Sequence, residues 1–173
     1  MPKRLPEPCK NPVCSNLVVG GGYCEECEAK HLHENAITIV WGPPGSGKST
    51  HVYRNMNPGD LVIDLDLIWQ ALTALGRNNR PDSVKPYVFI VRDALYAELA
   101  KRTNNTPVWV IAGLPRRLDR ERLQRRFRAK MIRMDVSREE CLARIAKDGK
   151  REGKSMGDYW TPMVDRWFKE YQP

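Results

Sequence analysis

This sequence predicts an α/β domain, a central parallel sheet flanked by helices, preceded by a small cysteine-rich module. Three observations carry that expectation. From Ile37 onward, short apolar runs alternate with longer helical ones, as strands and helices do around a parallel sheet. The first run, Ile37-Thr38-Ile39-Val40-Trp41, passes straight into Gly42-Pro43-Pro44-Gly45-Ser46-Gly47-Lys48-Ser49-Thr50. Residues 1–34 show neither a strand nor a helix period and hold four of the five cysteines. The boundary between module and domain is therefore expected near residue 35.

The elements follow in order. The strand at 37–41 and its turn lead into a helix reaching about residue 56. Asn57-Pro58-Gly59-Asp60 is a turn, and 61–64 a second strand. A helix over 65–75 is stopped by Gly76, and the polar stretch 77–83 is a loop. A long helix from about 85 to 102 carries Val88, Val91, Leu95 and Leu99 on one face. The strand at 108–112 is apolar throughout, which suits a central position. An arginine-heavy helix over 119–128 and a strand over 131–135 come next. Ser137-Arg138-Glu139-Glu140 has the capping-box form and opens another helix. Residues 149–157 read as a basic loop, and 158–171 as the last helix. There are no internal repeats.

Gly42 to Ser49 has the spacing G-x-x-x-x-G-K-S. Its glycines let the backbone fold back so that successive N–H groups converge on a polyphosphate. Gly42, Pro43, Pro44, Gly45, Ser46 and Gly47 would form the cradle, and Thr50 continues into the helix. Lys48 reaches the β- and γ-phosphates, Ser49 offers a hydroxyl to Mg²⁺, and the helix that starts here turns its positive end to the anion. A nucleoside triphosphate, ATP with Mg²⁺, is the expected ligand.

A carboxylate must then organise the metal. In motor-type ATPases it ends a buried central strand, but Val108-Trp109-Val110-Ile111-Ala112-Gly113 ends without an acid. The acids close the second strand instead, as Asp64-Leu65-Asp66. Side chains two apart on an extended segment point the same way. One carboxylate can serve Mg²⁺ and the other can take the proton of an attacking hydroxyl. Either can also cap the following helix.

In the N-terminal module, Cys9, Cys14, Cys24 and Cys27 give C-x4-C-x9-C-x2-C, with Gly20-Gly21-Gly22 between the pairs. Two pairs joined by a short loop can close tetrahedrally on one structural Zn²⁺. So few residues cannot bury a core, and metal binding would explain how they fold. Disulfides are the weaker explanation in a cytosolic setting. His31 and His33 read as spectators, Cys141 as a small buried hydrophobe. Few basic residues and an acidic exit (Glu25, Glu26, Glu28) favour a structural or protein-docking module over a nucleic-acid reader.

Composition narrows the function classes. No run approaches the roughly 18 apolar residues of a membrane helix, and no secretory signal is seen, so a cytoplasmic protein without membrane contact is expected. The net charge is +8. Residues 114–154 carry fifteen Lys/Arg against seven Asp/Glu, and so hold the whole excess. Such a block fits a nucleic-acid backbone, or else the phosphates of ATP plus a solvated helix face.

The order of strand, G-x-x-G-S-G-K-S-T, second strand ending in D-x-D and arginine-rich lid resembles the small P-loop kinases. The chain is most similar to the kinase domain of 5′-polynucleotide kinases over about 36–171; gluconate and shikimate kinases share the D-x-D arrangement. The resemblance implies Asp66 as the general base and Asp64 as a metal-organising group. It implies a lid over about 144–157, beginning with Arg144 and including Lys147, Lys150 and Arg151. The chain departs from the pattern in two places. Trp69 stands where an acceptor-phosphate arginine is usual. Gly113-Leu114-Pro115-Arg116-Arg117 stands where an acceptor-binding acid is usual.

Replacements are at hand. Arg116 and Arg117 follow the third strand and are expected at the active edge, to bind acceptor phosphate or stabilise the transferred group. Arg77 and Arg80 are further acceptor-side candidates. Trp69 either stacks on a base or belongs to the core. Arg120, Arg125, Arg126 and Arg128 form either a solvated face or a track for a longer polyanion. Three functions follow from this reading. The first is transfer of the ATP γ-phosphate to a hydroxyl, foremost a nucleic-acid 5′ end. The second is transfer to a nucleotide, nucleoside or other small metabolite. The third is a nucleotide-gated nucleic-acid-binding or assembly module, with a protein partner at the cysteine module.

Overall fold

A computed structural model of the chain describes residues 5–9, 14–19, 24–27, 37–76, 80–101, 106–148 and 155–173. Four strands make a parallel sheet: β3 (Ile37–Trp41), β4 (Leu61–Asp64), β5 (Val108–Ala112) and β6 (Lys130–Arg133), in the order β4-β5-β3-β6. N-terminal to it, β1 (Pro6–Pro8) and β2 (Leu17–Val19) pair antiparallel. No helix among the described residues is long and apolar enough to cross a membrane.

The sheet is covered on both faces, and the alternation of its side chains shows how. Ile37, Ile39, Ile63, Val108 and Val110 point to one face, where they pack with Ile68, Trp69, Val88, Tyr96 and Phe127. The residues of that face come from α2 (Leu65–Thr73), α3 (Lys85–Lys101) and α4 (Arg117–Phe127). Val40 and Ile111 point the other way onto Val52 of α1 (Lys48–Asn55). All five residues of β3 are buried, as two-sided cover requires. A third cluster joins α5 (Arg138–Lys147) to α6 (Thr161–Glu170) through Cys141, Ile145, Trp160 and Val164. Cys141 is fully buried there.

Several boundaries differ from the sequence-based expectation, each for a local reason. α2 ends at Thr73, because Ala74 takes a left-handed conformation (φ 55°) and donates its N–H to Gln70. β6 spans Lys130–Arg133 rather than 131–135, since its partner β3 stops at Trp41, which faces Arg133. Asp135 therefore lies beyond the strand. The last helix opens with a wide turn, Met156–Trp160, capped by Ser155, which accepts from the Asp158 N–H. Pro162 sits in the first turn of α6, where no N–H is missed.

Candidate active site and cysteine cluster

The Gly42–Ser49 loop leaves the buried end of β3 and enters α1. Gly45 has φ 80°, and a Cβ there would lie 2.7 Å from the Cys141 carbonyl oxygen and 2.8 Å from Ile145. Glycine at this position is required by both the backbone angle and the approach of α5. Gly47 (φ 91°) is the residue before α1, whose first turn contains Ser49 and Thr50. Pro43 and Ser46 are buried, and the Ser46 N–H donates to the Pro43 carbonyl at 3.2 Å. The Lys48 ammonium donates to the carbonyls of Gly42 (2.9 Å) and Pro43 (2.6 Å), which holds it against the loop.

Arg144, on α5, donates to the Ser46 carbonyl at 3.0 Å and is clamped from below by Glu140 one turn earlier. It is thus the one arginine of the expected lid that the described residues bring to the loop. Arg151 and Lys150 lie outside the described residues, as do Arg77, His31 and His33. Ser137 caps α5, accepting the Glu140 N–H at 3.1 Å.

β4 brings the two acids to the same carboxyl edge of the sheet. Asp64 faces Ile111 of β5, and Ile111 faces Val40 of β3, so Asp64 stands level with a residue two short of Gly42. β5 alone separates these strands, a gap of roughly 10 Å at two strand spacings. Asp64 is buried and accepts the Asp66 N–H at 3.0 Å, capping α2. Asp66, in the first turn of α2, forms an ion pair with Arg80 at 2.7 Å, both side chains about three-quarters buried (24% and 23% exposed). This pairing joins two residues fourteen apart, across the loop between α2 and α3. Trp69 is 8% exposed within the core, which excludes it as a stacking platform.

Beyond β5, Gly113 lies under the Trp167 ring of α6, whose indole N–H donates to its carbonyl at 2.8 Å. Arg116 is exposed and 3.8 Å from Glu170. Arg117 pairs with Glu121 at 2.7 Å on the outer face of α4, and that hydrogen bond holds the Glu121 carboxyl below its usual range. Arg120 corrects the expectation for its helix: it is neither solvated nor part of a track. It is 7% exposed, donates to the carbonyls of Leu114, Pro115 and Gln172, and lies 4.5 Å over the Trp41 ring. Arg133 covers Tyr171 from another direction at 4.8 Å. Nothing in the sequence distinguishes Arg120 from the other arginines of residues 116–128, because the partners that bury it beyond its own loop, Trp41 and Gln172, are distant in the chain.

A cavity of about 340 Å³ opens beside Pro43 on the β6 side of the loop. It is lined by Arg133, Asp135 and Ser137 and by Trp167, Phe168 and Tyr171 of the C-terminal segment.

In the N-terminal module the sulfur atoms of Cys9, Cys14, Cys24 and Cys27 all lie within 4.8 Å of one another, a set able to hold a metal ion. None is in a disulfide. The Asn16 side-chain amide donates to Cys24 Sγ at 3.3 Å. That bond, with the Cys27 backbone N–H, pulls the Cys24 thiol down to about 6.

No protein-family model matches the chain. Over 126 residues the chain is 34% identical to an adenylate kinase of Chlamydia caviae, a match covering 62% of this chain. It spans only 56% of the length of that curated relative. Among solved structures, a shikimate kinase from Acinetobacter baumannii in complex with shikimate aligns with 82% of this chain and 78% of its own, at 16% identity and a TM-score of 0.49.

Proposed function

We propose that the protein is a phosphotransferase that moves the γ-phosphoryl group of ATP to a hydroxyl of an anionic acceptor. The observation that carries this reading is the Asp66–Arg80 ion pair, which follows β4 at the sheet edge where the G-x-x-x-x-G-K-S loop leaves β3. Similarity to an adenylate kinase supports a phosphotransfer role for the loop. The Gly42–Ser49 backbone and Lys48 bind the β- and γ-phosphates. Ser49 and Asp64, a hydroxyl and a carboxylate, are suitable oxygen donors for Mg²⁺, which neutralises phosphate charge when bound.

Asp66 then accepts the proton of the acceptor hydroxyl as its oxygen bonds to the γ-phosphorus, while the bond from phosphorus to the β-phosphate oxygen breaks and ADP leaves. Arg80 orients Asp66 and offers the acceptor's anionic group a guanidinium. Arg144 reaches the loop from α5, where it meets charge on the transferred group, with Arg151 and Arg116 as further cations. In-line transfer puts acceptor and leaving group on opposite sides of phosphorus. With the acceptor toward β4, the nucleoside of the donor lies toward β6, where the aromatic cavity beside Pro43 takes it.

For the acceptor, the exposed arginines of α4 (Arg122, Arg125, Arg126) with Arg128 support a nucleic-acid 5′-hydroxyl end. A second reading, a nucleotide or other small metabolite, is favoured by the adenylate kinase likeness and by the burial of Arg120, which removes one cation from any track. The test is transfer from γ-labelled ATP with Mg²⁺ to 5′-hydroxyl DNA and RNA oligonucleotides, nucleosides and nucleoside monophosphates. Label on oligonucleotides supports the first acceptor, and label confined to small molecules supports the second. Intact ATP binding without label on any acceptor would overturn the phosphotransfer reading in favour of a nucleotide-gated binding module.

A further inference from the structure

We infer that Cys9, Cys14, Cys24 and Cys27 form a closed, structural tetrathiolate zinc site, and that Asn16 is a positioning residue for it. The site is separate from the phosphotransfer chemistry and does not depend on it.

The argument starts from distances. Four thiolates about 2.3 Å from one tetrahedral Zn²⁺ stand about 3.8 Å apart. The Cys14 and Cys24 sulfurs are 3.6 Å apart, and all four fall within 4.8 Å. A disulfide needs sulfurs about 2.05 Å apart, and none is formed. The backbone builds this convergence. Cys9 follows β1 and Cys14 precedes β2, so the hairpin brings the first pair together. The Cys9 N–H donates to the Asn16 carbonyl at 2.9 Å, and the Cys24 N–H donates to Cys9 Sγ at 3.2 Å, tying the second pair to the first.

Burial makes the same point from another side. Cys9, Cys24 and Cys27 are 6–9% exposed, and among the described residues the hydrophobic side chains packed against them are Cys14 and Val18. Leu17 and Val19 on the same hairpin face solvent. Among the described residues, the buried centre of the module is therefore sulfur. Such a short segment takes its folding free energy from a metal. Soft sulfur donors in a tetrahedral S₄ set select zinc over hard cations. Four protein ligands leave no open position, which makes the site structural rather than catalytic. Asn16 donates to Cys24 Sγ, an outer contact of the kind that orients a ligand and spreads its charge.

The test uses the full chain purified without added metal or chelator. Elemental analysis is expected to give one zinc per chain, and exchange with Co²⁺ the visible spectrum of a tetrahedral tetrathiolate. Cys24→Ser is expected to lower zinc affinity at least tenfold while ATP binding stays as in the wild type. Asn16→Leu is expected to keep one zinc but weaken it about 10- to 100-fold and to speed alkylation of Cys24 in the zinc-loaded protein. A metal-free chain, two disulfides or bound iron in place of zinc would overturn the site; should Cys24→Ser fail to fold, the wild-type metal content and Co²⁺ spectrum still decide. An unchanged alkylation rate and affinity in Asn16→Leu would remove Asn16 from it.

Discussion

The α/β domain and the cysteine module bury side chains for different reasons, and the difference explains what each needs in order to fold. In the domain, Ile39, Val40, Val110 and Phe127 are fully buried between a sheet and helices on both faces. Each such side chain contributes about 1.5–3 kcal/mol by leaving water. Among the described residues of the module the buried groups are cysteines, and Leu5, Leu17 and Val19 are exposed. One region is held by many small transfers of apolar surface; the other, on the inference above, is held by one centre. The domain should therefore yield gradually to single substitutions, and the module all at once.

The sharpest way to break that contrast is chelation. If the four cysteines hold the inferred zinc, its removal is expected to abolish hydrogen-exchange protection throughout 5–9, 14–19 and 24–27 while leaving the sheet protected. Equal loss in both regions would mean that the module's centre also supports the domain. Phe127→Ala should come next, costing about 3–5 kcal/mol. Its ring is wholly buried and meets Tyr96 edge-on at 5.2 Å. Chemical denaturation measures the loss, and the inferred zinc content should not change.

Arg120→Gln should cost at least about 1.5–3 kcal/mol, the worth of a single buried hydrogen bond from a charged group. Three carbonyls lose their donor in this variant, so the C-terminal segment near Gln172 should gain exchange faster than the sheet does. A loss no larger than that of Arg125→Gln would contradict the buried role. The smallest effect concerns Arg138 and Asp165, which join α5 to α6 at 2.6 Å. The hydrogen bond from Arg138 holds the Asp165 carboxyl below its usual range. Its contribution is then present above the ordinary aspartate value of about 4 and is lost as pH falls below it. Asp165→Asn should flatten the pH dependence of stability in that acidic window and leave it unchanged near neutrality.

The same contrast separates what the sequence made legible from what it hid. β5 was readable end to end, because a short uninterrupted run of Val, Trp, Val, Ile and Ala, rich in β-branched residues, suits a central strand. The loop at Gly42–Ser49 was readable because backbone angle and spacing leave little choice of residue. β6 was displaced by a residue or two, since an edge strand ends where its partner ends, and only the pairing with β3 reveals that. The Asp66–Arg80 contact was half legible: both residues stood out as candidates, but nothing local said they would meet. Arg120 was hidden, because a cation buried by an aromatic ring at 41 and a carbonyl at 172 carries no signal in its own helix. Long-range partners, not local pattern, decide such residues.

The central claim is that Asp66 takes the proton of an acceptor hydroxyl while the loop independently holds ATP. The most direct test compares Asp66→Asn with the wild type in single-turnover transfer from γ-labelled ATP, alongside the ATP dissociation constant. We expect transfer to fall at least about 10²-fold, the lower range for loss of a general base, with ATP affinity within about twofold. Undiminished transfer by Asp66→Asn would contradict the account and remove Asp66 as the base.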